Sequence, residues 1–298
     1  MMRRTSKLPS EGAVQAILCA DFHLRDSVPV CRTDDFWEAQ WVKVDFVAAL
    51  QRQYDCPVFH SGDLFHHWKA SPYLLSTTLK HLPKNFHTVY GNHDLPQHSI
   101  ELMERSGVHT LEMAGELIVL SGAHAGQEPT YDDGFDLCGY QTLVWHEGVW
   151  QGKSPWPGCT NPTTEEVLEK YDMFDLIVTG DFHIPCIDRD GDRLLVNPGS
   201  LMRQSADQID FQPRIYLWSA EDNDVVPAFL PINPDAVSRE HLDVMKERDK
   251  RIEAFISRLD VDWSTELSFE GNLKKYLSSN RVDARTEELI QKAVDLDL

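Results

Sequence analysis

No apolar run in the sequence approaches the ~20 residues a membrane helix needs, which argues against a membrane-spanning segment or a membrane partner. Arg3, Arg4 and Lys7 stand near the start with no apolar core behind them, so residues 1–10 read as a frayed leader and not as a signal peptide. Cysteine is sparse: Cys19, Cys31, Cys56, Cys138, Cys159 and Cys186 are scattered, and no pair forms C-x-x-C. A chain of 298 residues buries a core without disulfide staples. The cysteines are therefore expected as reduced thiols, and the protein as cytoplasmic. Internal repeats and low-complexity tracts are also missing.

Positive charge is in short supply. Lys and Arg number 28 against 48 Asp and Glu, for a net charge of −20. Gripping long stretches of nucleic acid takes clusters of basic side chains that displace counterions, and this balance counts against a chain that does so alone. Any nucleic-acid role has to rest on local positive charge, bound metal or a basic partner. The rest of the composition, 42% hydrophobic and 26% charged, is that of an ordinary globular protein.

What is present is one pattern in four places: a short apolar strand that ends in Asp, His, Asn and Gly. Residues 14–20 lead into Asp21-Phe22-His23, and 58–60 into Ser61-Gly62-Asp63. Residues 87–90 lead into Gly91-Asn92-His93-Asp94, and 175–179 into Gly180-Asp181-Phe182-His183. Helical segments are expected between them, at 37–53, 72–81 and 164–171. The alternation predicts an α/β fold with polar groups gathered beyond the carboxyl ends of the strands. Further strands are expected at 117–121, 135–140, 194–197, 214–218 and 228–231, as a second sheet packed on the first. Residues 147–162, rich in Gly, Pro and Trp, read as a long loop. After Pro234, residues 238–259 carry an apolar helical stripe through Leu242, Met245, Ile252, Phe255, Ile256 and Leu259, with shorter helices near 270–279 and 285–296.

The polar clusters share one chemistry. Hard divalent cations take oxygen ligands, and Mn, Fe and Zn also accept imidazole. A mixed set of Asp, His and Asn therefore points to one transition metal or two. Asp21 and His23, two apart, can reach one ion, although D-x-H alone is a weak signal. Asp63 can bridge two ions, and Gly62 before it allows close backbone approach. Gly91-Asn92-His93-Asp94 is more specific: Asn92 offers a neutral oxygen, and the imidazole of His93 can donate a proton. Asp181 and His183 repeat the two-apart spacing. His146 follows another apolar stretch and supplies a further imidazole; His124 competes for that role but lies less favourably between the segments.

The order D-x-H, G-D, G-N-H-D, H, then G-x-x-H resembles the calcineurin-like metallophosphoesterases, over Asp21 to His183. The resemblance implies a four-layer α-β-β-α sandwich with a two-metal centre. It implies one ion on Asp21, His23, Asp63 and His183, and another on Asp63, Asn92, His146 and Asp181. In that chemistry a hydroxide held between the ions attacks the phosphate, and His93 steadies the phosphate oxygen or protonates the leaving alkoxide. The family's last motif is usually G-H-x-H. Here Asp181 replaces an imidazole, which leans the site toward Mn²⁺ or Mg²⁺ over Zn²⁺, with Mn²⁺ expected first and Mg²⁺, Fe²⁺ or Zn²⁺ left open, or sets Asp181 behind the ligands.

Within that superfamily, Gly62-Asp63-Leu64-Phe65-His66 resembles the motif of SbcD-type DNA repair nucleases. The resemblance implies that His66 places or protonates a DNA end. Asn197-Pro198-Gly199-Ser200-Leu201 resembles their P-G-S segment, with Ser200 offered to a phosphate and Arg203 to a substrate charge. It also divides the chain into a nuclease domain, 1–233, and a short helical C-terminal extension, 234–298, where these nucleases carry a cap or dock an SbcC-like ABC ATPase. The expected partners are thus DNA and such an ATPase, with a homodimer left open. Trp145, Trp150 and Trp156, in or beside the loop after His146, are expected to pack and not to stack on bases. The competing readings are a phosphatase or phosphodiesterase of a protein or small molecule, which suits the acidic charge, and a non-catalytic scaffold, which the full ligand set disfavours.

Overall fold

The computed structural model describes residues 8–10 and 12–242, then 246, 250, 251, 273, 277, 278, 282–286 and 290. Most of the leader at 1–10 and most of the helices expected at 238–259, 270–279 and 285–296 therefore lie outside the described residues. The chain divides into two compact units, Met1–Ser238 and Arg239–Leu298.

In chain order the first unit runs β1 (Ala16–Cys19), α1 (Phe36–Tyr54), β2 (Val58–His60), α2 (Pro72–His81), β3 (Phe86–Thr88), α3 (Gly107–Met113) and β4 (Ile118–Val119). It continues through β5 (Phe135–Leu137), β6 (Tyr140–Gly148), α4 (Thr164–Lys170), β7 (Leu176–Gly180), β8 (Cys186–Asp190), β9 (Arg193–Asn197), β10 (Arg214–Ser219) and β11 (Asp224–Phe229). Local chemistry sets the helix starts. The Asp35 carboxylate caps α1 by accepting from the Glu38 N–H, Ser71 caps α2 ahead of Pro72, and Thr163 with Glu166 forms a capping box on α4.

Two sheets result, ordered β11-β10-β1-β2-β3-β4 and β5-β6-β7-β9-β8. β1 through β4 run parallel, as do β6, β7 and β9. Alternation along each strand builds the layers, because successive side chains take opposite faces. Ala16 and Leu18 of β1 join Val144, Val178, Leu194, Val196 and Trp218 in a core between the sheets. Ile17 and Cys19 face the other way, onto Trp41, Val44 and Val47 of α1. On the second sheet, Leu143, Ile177 and Leu195 turn outward onto Val167 and Leu168 of α4. The order helix, sheet, sheet, helix is the four-layer α-β-β-α sandwich.

The strands expected at 117–121, 214–218 and 228–231 join β1 in the first sheet and not the second, while β7 lies in the second; β10 pairs with β1 across the edge that β2 leaves free. One of them also shifts along the chain. Residues 228–231 were to pair, but β11 ends at Phe229 and begins at Asp224, because its register against β10 runs from Ser219 opposite Asp224 to Arg214 opposite Phe229. The tight turn before it places Asn223 in the left-handed region, where its Oδ1 accepts from Trp218 Nε1 at 2.8 Å. Trp218 is fully buried between the sheets, edge-on to Tyr140. Trp218→Ala should cost about 3–5 kcal/mol of stability by emptying that layer. A lowered denaturant midpoint with an unchanged slope is the expected reading.

Candidate metal centre

The strands of both sheets deliver their polar clusters to one place. Asp21 and His23 follow β1, Asp63 follows β2, Asn92 and His93 come after β3, and Asp181 and His183 follow β7. His146 lies in β6, where the pairing with β7 shifts register between Trp145 and Gly148. Asp21, His23, Asp63 and Asp181 all hold positive φ, between 46° and 68°. Such backbone costs a non-glycine residue on the order of 1–3 kcal/mol and persists only where its surroundings hold it. Here they do: the Asp21 N–H donates to Gly62 O, the His23 N–H to Asp63 O, and the Leu201 N–H to Asp21 O.

Asp63 sits at the middle. Its Oδ1 accepts from the His93 backbone N–H at 2.8 Å and lies 3.6 Å from His146 Nε2, while Oδ2 lies 3.5 Å from His23 Nε2. To one side, His23 Nε2 and His183 Nε2 stand 3.0 Å apart. To the other, His146 Nε2 is 2.9 Å from Asn92 Oδ1 and 3.8 Å from Asp181 Oδ1. Donor atoms of Asp21, His23 and His183 form one group within 4.8 Å of one another, and those of Asp21, Asp63 and His146 another. Adjacent ligands on one ion with bonds of about 2.0–2.2 Å have roughly this spacing. Asp21 stands in both groups, whereas the resemblance placed it on one ion.

The residues fit a divalent cation in three further ways. Asp21 is wholly buried, and its Oδ2 has no hydrogen-bond partner among the described residues; an orphaned carboxylate oxygen is costly without a cation. His146 Nδ1–H donates to Ser61 O at 2.7 Å, which leaves Nε2 as the ligand nitrogen. The charges are also out of balance. Burial, with Asp63 and Asp181 nearby, pushes the Asp21 carboxyl well above the usual range. Burial pulls His146 down, but Asp63, Asp21 and Asp181 outweigh it and raise the imidazole to about 9. Burial and the neighbouring imidazoles, His183 first, push His23 well below its ordinary value.

Two residues without an expected role hold this arrangement. Ser61 offers its carbonyl to His146 and donates its own hydroxyl to Thr179 O at 2.7 Å, joining the ends of β2 and β7. Asp94 accepts the backbone N–H groups of Leu64, Phe65 and Gly91 and so ties the Asp63 loop to the His93 loop. Its place at the end of Gly91-Asn92-His93-Asp94 was the only signal in the sequence. Gly91 is needed for closeness: a Cβ there would lie 2.1 Å from Asp63 Oδ1.

His93 Nδ1 lies 2.7 Å from His66 O, and its ring stands 4.8 Å from that of His23 and 5.3 Å from that of His66. Burial, with Arg25 and His93 nearby, lowers His66 to about 4, so its ring is neutral at pH 7. His124 is committed elsewhere, with Nδ1 accepting the Tyr90 N–H.

Two expected substrate contacts are corrected. Arg203 is 2% exposed, its guanidinium donates to the carbonyls of Ile209 and Asn233, and it lines a pocket apart from the metal-ligand groups, so it is a buried strut and not a contact for a substrate at the metal centre. Ser200 is also buried: its Oγ donates to Met202 O and accepts from Gln208 Nε2, and its N–H donates to His183 O. The P-G-S segment thus braces the His183 and Asp21 loops from behind. Trp145 and Trp150 each donate Nε1 to a backbone carbonyl, and Trp156 sits edge-on to Phe182.

The two-sheet sandwich, with Asp, His and Asn gathered beyond its strand ends, holds a candidate metal centre of the kind that metal-dependent hydrolases carry. The family model of the calcineurin-like phosphoesterase superfamily domain matches residues 15–212, and the chain belongs to that superfamily. Among solved structures, an archaeal phosphodiesterase is 15% identical, with a TM-score of 0.41 over 72% of this chain and 99% of its own. A predicted phosphoesterase from Streptococcus pneumoniae is 14% identical, with a TM-score of 0.38 over 76% of this chain and 93% of its own. A putative 5'-nucleotidase from Staphylococcus aureus is 14% identical, with a TM-score of 0.42 over 79% of this chain and 58% of its own. No curated protein matches the chain. Among the described residues, no helix is long and apolar enough to cross a membrane.

Removing Asp63, the residue nearest both sides of the centre, should empty it. Asp63→Ala is expected to lower bound metal at least tenfold, read by elemental analysis after gel filtration. Metal must also displace the His146 proton. Manganese affinity of the metal-free protein should therefore rise with pH up to about 9, the value set by burial against the Asp63, Asp21 and Asp181 carboxylates. Calorimetry in buffers of different ionisation enthalpy would show that proton leaving; affinity flat between pH 6 and 9 would contradict the assignment.

Proposed function

We propose that this chain is a two-metal phosphodiesterase that hydrolyses DNA, with Mn²⁺ as its working ion. The observation that carries the nuclease reading is a cleft of about 350 Å³ lined by Arg25, His66, His67 and Lys69. It shares His66 with the metal centre, since donor atoms of His23, His66 and His93 lie within 4.8 Å of one another. Asp26 is the one acid among its lining residues. In a chain of net charge −20, a basic cleft beside the candidate catalytic groups is a local reversal of sign, suited to the phosphates that flank a cut in a polynucleotide.

Two bound divalent cations supply Lewis acidity, a nucleophile active at neutral pH, and a clamp on the phosphate. The protein's part is positional. Asp63 sets the spacing of the two ligand groups, and Asp94 holds its loop. His93 holds its Nδ1–H on the His66 carbonyl, which leaves Nε2 facing away from that bond; in the imidazolium form Nε2–H donates to a phosphate oxygen or hands its proton to the leaving alkoxide. His66, neutral at pH 7, places the strand and does not protonate it. Asp181, in place of an imidazole, favours the harder Mn²⁺.

The acidic surface favours the second reading, a phosphodiesterase or phosphatase of a small molecule or protein. The test uses Mn²⁺ with labelled linear duplex and single-stranded DNA. Degradation should require Mn²⁺ and fall about 10²–10⁴-fold in His93→Ala. Arg25→Glu should lower the rate on DNA at least tenfold while leaving turnover of a small chromogenic phosphodiester intact. Turnover of the small substrate without DNA degradation, unrescued by an SbcC-like ATPase, would replace the nuclease reading with the second one.

A further inference from the structure

Away from the metal centre, a pocket of about 200 Å³ opens between α1 and the segment 231–233. Arg32, Lys43 and Arg203 line it, with Asp34 as the single acid. All three cations are buried, exposed by 9%, 3% and 2%. The acid is already committed: Asp34 takes Arg32 Nε and Nη2 in a two-point pair at 2.8 and 2.7 Å. Arg32 Nη1 donates to Arg203 O at 2.9 Å.

Among the described residues, Lys43 and Arg203 have neutral hydrogen-bond partners only. Lys43 Nζ reaches Leu201 O at 3.1 Å and Met202 Sδ at 3.2 Å. Arg203 reaches two carbonyls, and its Nε has no partner among the described residues. Asp34 is near enough to act on both but pairs with Arg32, and two buried cations without a carboxylate of their own are expensive, since a guanidinium cannot shed its proton as an amine can. Among the described residues, three cations gather around one hollow that offers them one carboxylate, an excess of positive charge suited to an anion.

We propose that this pocket binds a phosphate group, either inorganic phosphate or the phosphate of a nucleoside monophosphate. A tetrahedral oxyanion suits the volume, the guanidinium donors of Arg203 and the remaining ammonium donor of Lys43. The access side is built from Val42, which is 43% exposed, and the exposed Pro231 and Asn233. Burial, with Arg32 and Arg203 close by, lowers Lys43 to about 7, a penalty that an anion would relieve. The pocket adjoins the centre through two hydrogen bonds: Lys43 holds Leu201 O, and the Leu201 N–H holds Asp21 O. The site is separate from the metal centre and does not depend on what the centre cleaves.

The full chain in EDTA tests this, since the metal centre then lacks the cations with which it would hold phosphate. At constant ionic strength, inorganic phosphate should raise the melting temperature saturably, by about 5–10 °C at a hundredfold excess over Kd. Lys43→Met should abolish the rise. So should Val42→Glu, which sets a carboxylate at an exposed position of the pocket and leaves the core intact. A nucleoside monophosphate that acts at lower concentration than phosphate would name the nucleotide as the source; equal potency would name the free ion. An equal rise with chloride, or a rise retained in Val42→Glu, would overturn the proposal.

Discussion

The rest of the site depends on where the Asp63 carboxylate is held. It is 1% exposed, it accepts the His93 backbone N–H, and its two oxygens point toward His146 and His23 on opposite sides. A carboxylate so placed in a low-dielectric interior wants cations near both oxygens. Its loop can be there only because Gly91 has no side chain to collide with it and because Asp94 gathers three N–H groups from the two loops that meet. The left-handed backbone at Asp21, His23 and Asp63 is held by bonds between their own two loops, and that at Asp181 by its N–H on Asp21 Oδ1. Hydrogen bonds continue the β1–β2 pairing past the strand ends and leave those residues no other conformation.

Charge divides the molecule into unequal regions. The chain is strongly acidic, yet two hollows carry a local excess of cations over acids. The cleft beside His66 carries Arg25 and Lys69, and the pocket under α1 carries Arg32, Lys43 and Arg203. The first is open and suits a polyanion passing over the centre. The second is smaller, about 200 Å³ against 350 Å³, and suits a single phosphate group. Net charge describes long-range repulsion, whereas recognition is set within a Debye length of about 8–10 Å.

Much of the fold was readable because the signals were local. A strand followed at once by its polar cluster puts ligand and scaffold within a few residues of each other, and the caps at Ser71 and Thr163 lie beside the helices they begin. Arg203 and Ser200 were misread for the opposite reason. A basic or hydroxyl residue after a glycine turn looks available to a substrate, and only distant groups such as Asn233 O, 30 residues away, show that it is occupied. Ser61 gave no signal at all, since its partners Thr179 and His146 are 118 and 85 residues away.

The sequence alone determined which chemical groups the centre contains and the order in which the chain supplies them. Residue type and short spacing suffice for that, because they are properties of contiguous chain. Tertiary structure decided which groups face one another. β10 pairs with β1 only after the whole of the second sheet has been laid down between β4 and β10. The contact of the Asp181 N–H with Asp21 Oδ1 spans 160 residues. The first comes from distant strands pairing within one sheet and the second from packing two sheets face to face, and no local pattern encodes either.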